Sequence, residues 1–195
     1  MGLFDFFEAC CGSDDVDLAP EEPQPCTLDP RYKGNEVVLS SDNLTVSGTG
    51  TALALAPLLQ DRSFFEFTVQ TPGSFAVGVA SREVDRKGAL GNDAYSWAFR
   101  SDRFLVHNKA TEQIISDTQV CVGDVIGVSY DHTVLSFYHN GVLLDSCFYS
   151  VRGRVYPAIS VDGAQVSANF GHLPFVHPLA KERGFKGVLF EQSII

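Results

Sequence analysis

Asn140-Gly141 stands between two short apolar runs, residues 134–139 and 142–147. A two-residue loop between antiparallel strands needs positive φ at both central positions if its twist is to match theirs, and Asn-Gly adopts that conformation at low cost. The dipeptide therefore commits this stretch to a β-hairpin. Asp131-His132-Thr133 joins a further run, residues 125–130, to the same hairpin and makes it a three-stranded meander.

The rest of the chain has the same texture. Apolar runs at residues 37–39, 44–46, 51–55, 64–69, 75–80, 95–99, 104–107, 155–161 and 165–170 are separated by turn residues. Phe65, Phe67 and Val69 alternate with Glu66 and Thr68 at the two-residue period of a strand, while Phe64 adds apolar surface to the opposite face. Fifteen Phe and 17 Gly against a single Met suit aromatic strands and tight turns better than helices. At 195 residues one core suffices. The expectation is an all-β fold, a two-sheet antiparallel β-sandwich carrying an acidic, flexible N-terminal tail.

Charge marks the domain boundary. Eight acids and no Lys or Arg lie between Met1 and Pro30, whereas residues 31–195 hold 16 acids and 14 basic residues. Residues 12–26 combine three Pro with five acids and few large apolar groups, the composition of a linker. The division expected is a tail over 1–26, a sandwich over 27–180 and a C-terminal segment, 181–195, packed on the domain. A chain of net charge -10 without a basic stripe is a poor ligand for phosphates, so no nucleic-acid partner is expected. Five Cys give neither a CxxC pair nor a regular disulfide framework, which fits a reducing, cytoplasmic setting.

The runs also read as motifs. Phe64 to Val69, Phe75 to Ala80, Leu90-Gly91-Asn92-Asp93-Ala94-Tyr95-Ser96-Trp97, Gly123-Asp124-Val125-Ile126-Gly127-Val128, Leu135-Ser136-Phe137-Tyr138-His139-Asn140-Gly141 and Val155-Tyr156-Pro157-Ala158-Ile159 occur in an order and spacing that resemble the SPRY (B30.2/SPRY-like) domain family. Thr27-Leu28-Asp29-Pro30 and the run from Val37 look like the segment that often precedes the SPRY core. The resemblance implies a sandwich without catalytic activity or cofactor, recognising a protein or peptide partner through surface loops. Carried over residue by residue, it assigns Arg86, Leu90, Gly91, Asp162 and Gly163 to a partner-binding pocket, with Arg86 and Asp162 standing where peptide binders carry aromatic residues. Loops 81–94 and 109–123 are the longest between strands and the natural carriers of recognition.

Other chemistries find little support. GxSxG, P-loop, GxGxxG and HExxH motifs are absent, which leaves a hydrolytic set only as a spatial assembly of Ser129, Asp131 and His132. His172 and His177 are interrupted by Pro174 and lack the helical spacing that aims two imidazoles at one ion, so no metal site is expected. A lectin-like glycan site wants exposed aromatic faces, and Trp97 lies in a run expected to be buried. Cys121 and Cys147 read as small buried side chains. On a helical projection Leu3, Phe4, Phe7, Cys10 and Cys11 share one stripe opposite Asp5 and Glu8. Two readings stay open for it: acylation at Cys10 and Cys11 with peripheral membrane association, as a membrane-tethered scaffold, or docking on the protein's own sandwich. Gly2 permits myristoylation, but Phe6 departs from that motif.

Overall fold

A computed structural model describes residues 25–113, 119–177 and 184–188. Among them run β1 (Leu28–Lys33), β2 (Val37–Leu39), β3 (Thr45–Ala54), β4 (Ser63–Val69), β5 (Ser74–Ala80), β6 (Ser96–Arg100) and β7 (Phe104–His107), followed by β8 (Ala110–Gln113), β9 (Val125–Tyr130), β10 (Leu135–His139), β11 (Val142–Phe148), β12 (Tyr156–Asp162) and β13 (Val166–Asn169). All these strands pair antiparallel. One layer has the order β1-β3-β12-β5-β6-β7-β8, the other β2-β3-β13-β4-β9-β10-β11. The expected sandwich is thus present, with β3 belonging to both layers.

Between the layers lies an aromatic core. Phe65, Phe67, Phe99, Phe137 and Phe170 are almost completely buried, and Phe99 of one layer meets Phe137 of the other at 5.9 Å between ring centres. Each such ring contributes about 1.5–3 kcal/mol through burial alone. The outer faces are covered too. On the β4 layer Phe64 and Tyr138 pack with Phe175 and Phe185, which follow β13, and Phe64 and Phe175 form an edge-to-face pair at 4.9 Å. Glu66, on that same outer face, is 1 % exposed and accepts hydrogen bonds from the Val176 and His177 backbone N–H groups at 2.9 and 3.1 Å. Its carboxylate ties down the chain that follows β13. On the other layer Leu53, Ala76, Ala98 and Ala158 form a face of small and aliphatic residues, over which Val84 and Leu90 of the 81–94 loop pack.

Several expectations need correcting. Runs 44–46 and 51–55 are one strand, β3, because Gly48 and Gly50 at φ 87° and 122° bend the strand rather than end it. The segment expected as a loop over 109–123 begins as a strand, since Asn108 and Lys109 (φ 50° and 65°) form a tight turn that returns the chain along β7 as β8. Cys26, taken as the end of the linker, is 2 % exposed in the core, and burial pushes its thiol pKa up to about 11. Conversely Cys121 is exposed in the turn before β9, and Cys147 is half-buried on the edge strand β11. Trp97, expected to be buried, is half-buried and lies flat against His107 at 4.6 Å and 8°.

The Asn140-Gly141 hairpin is formed as expected, with φ of 47° and 81° and His139 opposite Val142. A carboxylate holds it in place. Asp124 accepts from Asn140 Nδ2 at 2.8 Å and from the Cys121 N–H, and His139 Nε2 lies 2.8 Å away, while Asn140 Oδ1 accepts from the Val125 N–H. Burial raises the Asp124 pKa, but these partners outweigh it and the net shift is downward.

Gly141→Val places a β-branched residue at positive φ, which costs about 1–2 kcal/mol, and its Cβ meets His177 Nδ1 at 2.6 Å. A fall in melting temperature of roughly 3–8 °C is expected for a domain of this size, read by calorimetry; a variant melting with wild type contradicts the assigned turn. Because folding lowers the Asp124 pKa, the stability it contributes is complete above the unfolded value and is lost as pH falls through the folded one. The stability gap between wild type and Asp124→Asn should therefore shrink from about pH 7 to about pH 3 in denaturant melts. An unchanged gap refutes this role for the carboxylate.

Candidate recognition site

Residues 81–94 leave β5 and return to β6 on one edge of the sandwich, yet they do not project from that end. The segment lies flat across the outer face of its layer, where small side chains leave room for backbone. Its path is fixed by hydrogen bonds to the strands beneath. The Arg86 carbonyl accepts from the Thr51 N–H at 2.9 Å, and the Gly88 carbonyl from Thr51 Oγ1 at 2.8 Å. Leu90 N–H donates to Ser160 Oγ at 3.1 Å, and Gly91 N–H to Ser96 Oγ at 2.8 Å. Asp93 closes the loop on itself by accepting from the Asp85 and Tyr95 N–H groups and from Ser96 Oγ.

At the base of the loop stands Arg82. Its guanidinium lies 3.4 Å from the ring centre of Tyr32 and 4.3 Å from that of Tyr156, and 3.3 Å from the fully buried carboxylate of Asp29. Burial raises the Asp29 pKa, but hydrogen bonds from Arg31 and Arg82 outweigh it and hold the carboxyl below its usual range.

The loop tip meets the turn after β12 and encloses two neighbouring cavities. The first, about 160 Å³, is lined by Gly50, Ala76, Gly88 and Ala89, by Phe75 and Val161, whose side chains belong to the inter-layer core, and by the charged Lys87, Arg100 and Asp162. Arg100 is held by a bidentate pair with Asp102, and Asp162 Oδ1 accepts from Thr49 Oγ1 at 3.3 Å. The second, about 300 Å³, is polar and lined by Gly34, Asn35, Glu36, Thr49 and Lys87. Lys87 borders both. A lining of small residues beside charged ones suits an apolar side chain whose neighbours carry polar groups.

The residues assigned from the sequence separate into two roles. Asp162 and Gly163 are exposed at the end of β12, where Asp162 lines the first cavity and Gly163 follows it at φ 72°. Arg86 lines neither cavity, and its guanidinium lies 5.6 Å from the Tyr32 ring centre. Leu90 and Gly91 are buried, and a Cβ on Gly91 would meet Val106 at 2.6 Å. These two seat the loop and offer no surface to a ligand. Lys87, Arg100, Thr49 and Phe75 were not singled out by sequence, because only the folded path of the loop brings them to one cavity.

The alternative chemistries resolve as follows. Ser129 is buried on the outer face of β9, opposite Phe64, whereas Asp131 accepts from the Thr133 and Val134 N–H groups and His132 is exposed in the turn. They form no triad. His172 is half-buried, and its pKa is lowered by burial against the pull of Asp42. His177 packs against Gly141. Among the described residues no group of three or more His, Cys, Asp or Glu is placed to hold a metal. Cys10 and Cys11 lie outside the described residues.

Comparison with known proteins matches residues 62–173 to the model of the SPRY domain. The chain is 34% identical over 192 residues to SPRY domain-containing protein 7 of Homo sapiens and of Bos taurus, covering 95% of this chain and 94% of either relative. In fold it is similar to the SPRY domain of human HERC1, with a TM-score of 0.60 at 19% identity over 75% of this chain and 99% of that one. It is also similar to the PSpry domain of TRIM65, with a TM-score of 0.63 at 15% identity over 75% and 90%. SPRY domains are in general non-catalytic protein-interaction modules. On the strand order, the aromatic core and these matches, the chain belongs to the SPRY domain family.

Proposed function

We infer that the protein is a non-catalytic adaptor that captures an extended segment of a protein partner at the two cavities under the 81–94 loop. The observation that carries this reading is the cavity lined by Gly50, Ala76, Gly88 and Ala89, with Lys87 and Asp162 beside them. An apolar side chain of the partner fills the cavity, and the charges beside it select its neighbours, since an unpaired like charge at a contact is strongly disfavoured. The encounter belongs in the cytoplasm on this reading, which the free thiols of Cys26, Cys121 and Cys147 support.

The test is a charge reversal, Lys87→Glu with Asp162→Lys, in the full chain. Both side chains are exposed, so folding free energy should change by only about 0.5 kcal/mol and the melting temperature should stay within roughly 2 °C of wild type. Proximity labelling in cells, followed by cross-linking with the purified protein, should find a specific partner that wild type binds and the reversed variant does not. If every specific partner survives the double change, the site is not here.

A further inference from the structure

We propose that β1, the turn after it and β3 are a working part of the recognition surface, and that Arg82 is its positioning residue. The idea rests on the reading of the 81–94 loop as the recognition element and says what gives that loop one shape. Residues 25–61 precede the segment matched to the SPRY model, yet three independent features of the loop depend on them.

The first is the Arg82 stack. A guanidinium held between two tyrosine rings, at 3.4 and 4.3 Å from their centres, gains from both π faces and is fixed in plane. Asp29 and Tyr32, two of its four partners, come from β1; Tyr156 comes from β12, and the Leu55 carbonyl accepts at 3.4 Å. The second is the hydrogen bonding of Thr51 in β3, whose N–H and hydroxyl hold the Arg86 and Gly88 carbonyls.

The third is a notch made by two glycines. A Cβ on Gly34 would come within 2.4 Å of the Arg86 carbonyl oxygen, and one on Gly50 within 2.8 Å. Both positions are kept bare because the loop backbone passes through the space a side chain would occupy. Lys87, which with Thr49 borders both cavities, follows directly. A loop so anchored loses little further freedom when a partner binds, which is how preorganisation strengthens recognition.

Three variants of the full chain perturb the seat by different routes. Arg82→Lys keeps a cation beside Asp29 but loses the planar stack, Tyr32→Leu removes one ring face, and Gly34→Ala lifts the Arg86 carbonyl without deleting a contact. Tyr32→Phe, which keeps the ring, is the conservative control. Native-state hydrogen exchange is the readout at the Leu90 and Gly91 amides, with Val128 and Phe137 reporting the core. In the three perturbing variants the loop amides should exchange at least about tenfold faster while the core amides hold their wild-type rates, and Tyr32→Phe should restore wild-type protection. Loop amides at wild-type rates in all three, or core amides that accelerate equally, overturn the proposal. Binding of the cross-linked partner separates the two ideas. A partner lost with Lys87→Glu but bound normally by Tyr32→Leu and Arg82→Lys leaves the site standing and refutes the positioning role. If no partner depends on Lys87, the recognition reading falls, and with it Arg82 as its positioning residue.

Discussion

Strand β3 hydrogen-bonds to both layers, and the geometry of the sandwich follows from that one shared strand. Its first residues pair with β2 and β13, its last with β1 and β12. Such a path needs a sharp bend in an otherwise extended chain, and Gly48 and Gly50 supply it. A Cβ at Gly48 would strike the Glu36 carbonyl oxygen at 2.1 Å, so the bend is also a place where backbones pass closely. The β12–β13 turn makes the same change of layer beside it, and the Gly163 N–H donates to the Gly48 carbonyl at 3.1 Å. The two crossings brace each other. The candidate site sits at this doubly tied corner, which suits recognition residues that must hold their spacing.

Each layer also has to cover its outer face, and the two covers differ in kind. The β4 layer takes an aromatic cover, with Phe175 and Phe185 over Phe64 and Tyr138. The β12 layer presents Ala76, Ala98 and Ala158 and takes a cover held largely by hydrogen bonds to Thr51, Ser160 and Ser96. Polar, directional contacts over a shallow face fix the position of a loop without burying much apolar area. The two faces of the molecule are thereby closed by different physics, one by apolar burial and the other by directional hydrogen bonds.

What the sequence disclosed follows the range of the physics involved. The Asn140-Gly141 turn and the alternation of Phe65, Glu66 and Phe67 are set by local backbone preference and strand period, and both read directly. The burial of Glu66 did not, because its partners are backbone amides more than a hundred residues away. Gly48 and Gly50 looked like punctuation, since a bend within a strand and a turn between strands call on the same residue. Resemblance pointed to Asp162, which lines the first cavity, and to Gly163 next to it. Nothing local pointed to Lys87, Thr49 or Arg100, because their convergence depends on where a loop comes to rest across a sheet.

The buried Glu66 carboxylate bears on where this domain can be cut. The segment that matches the family ends at residue 173, whereas both amides that neutralise Glu66 belong to Val176 and His177. A fragment trimmed to the matched boundary would keep the carboxylate and discard its donors, while uncovering Phe64 and Tyr138 on the same face. The unit of folding is therefore longer than the matched SPRY segment at both ends, reaching back to Cys26 and forward at least to Val188. Fusions, tags and truncations that respect those outer limits leave the fold its own insulation; those drawn at the family boundary replace it with an exposed aromatic surface and a stranded charge.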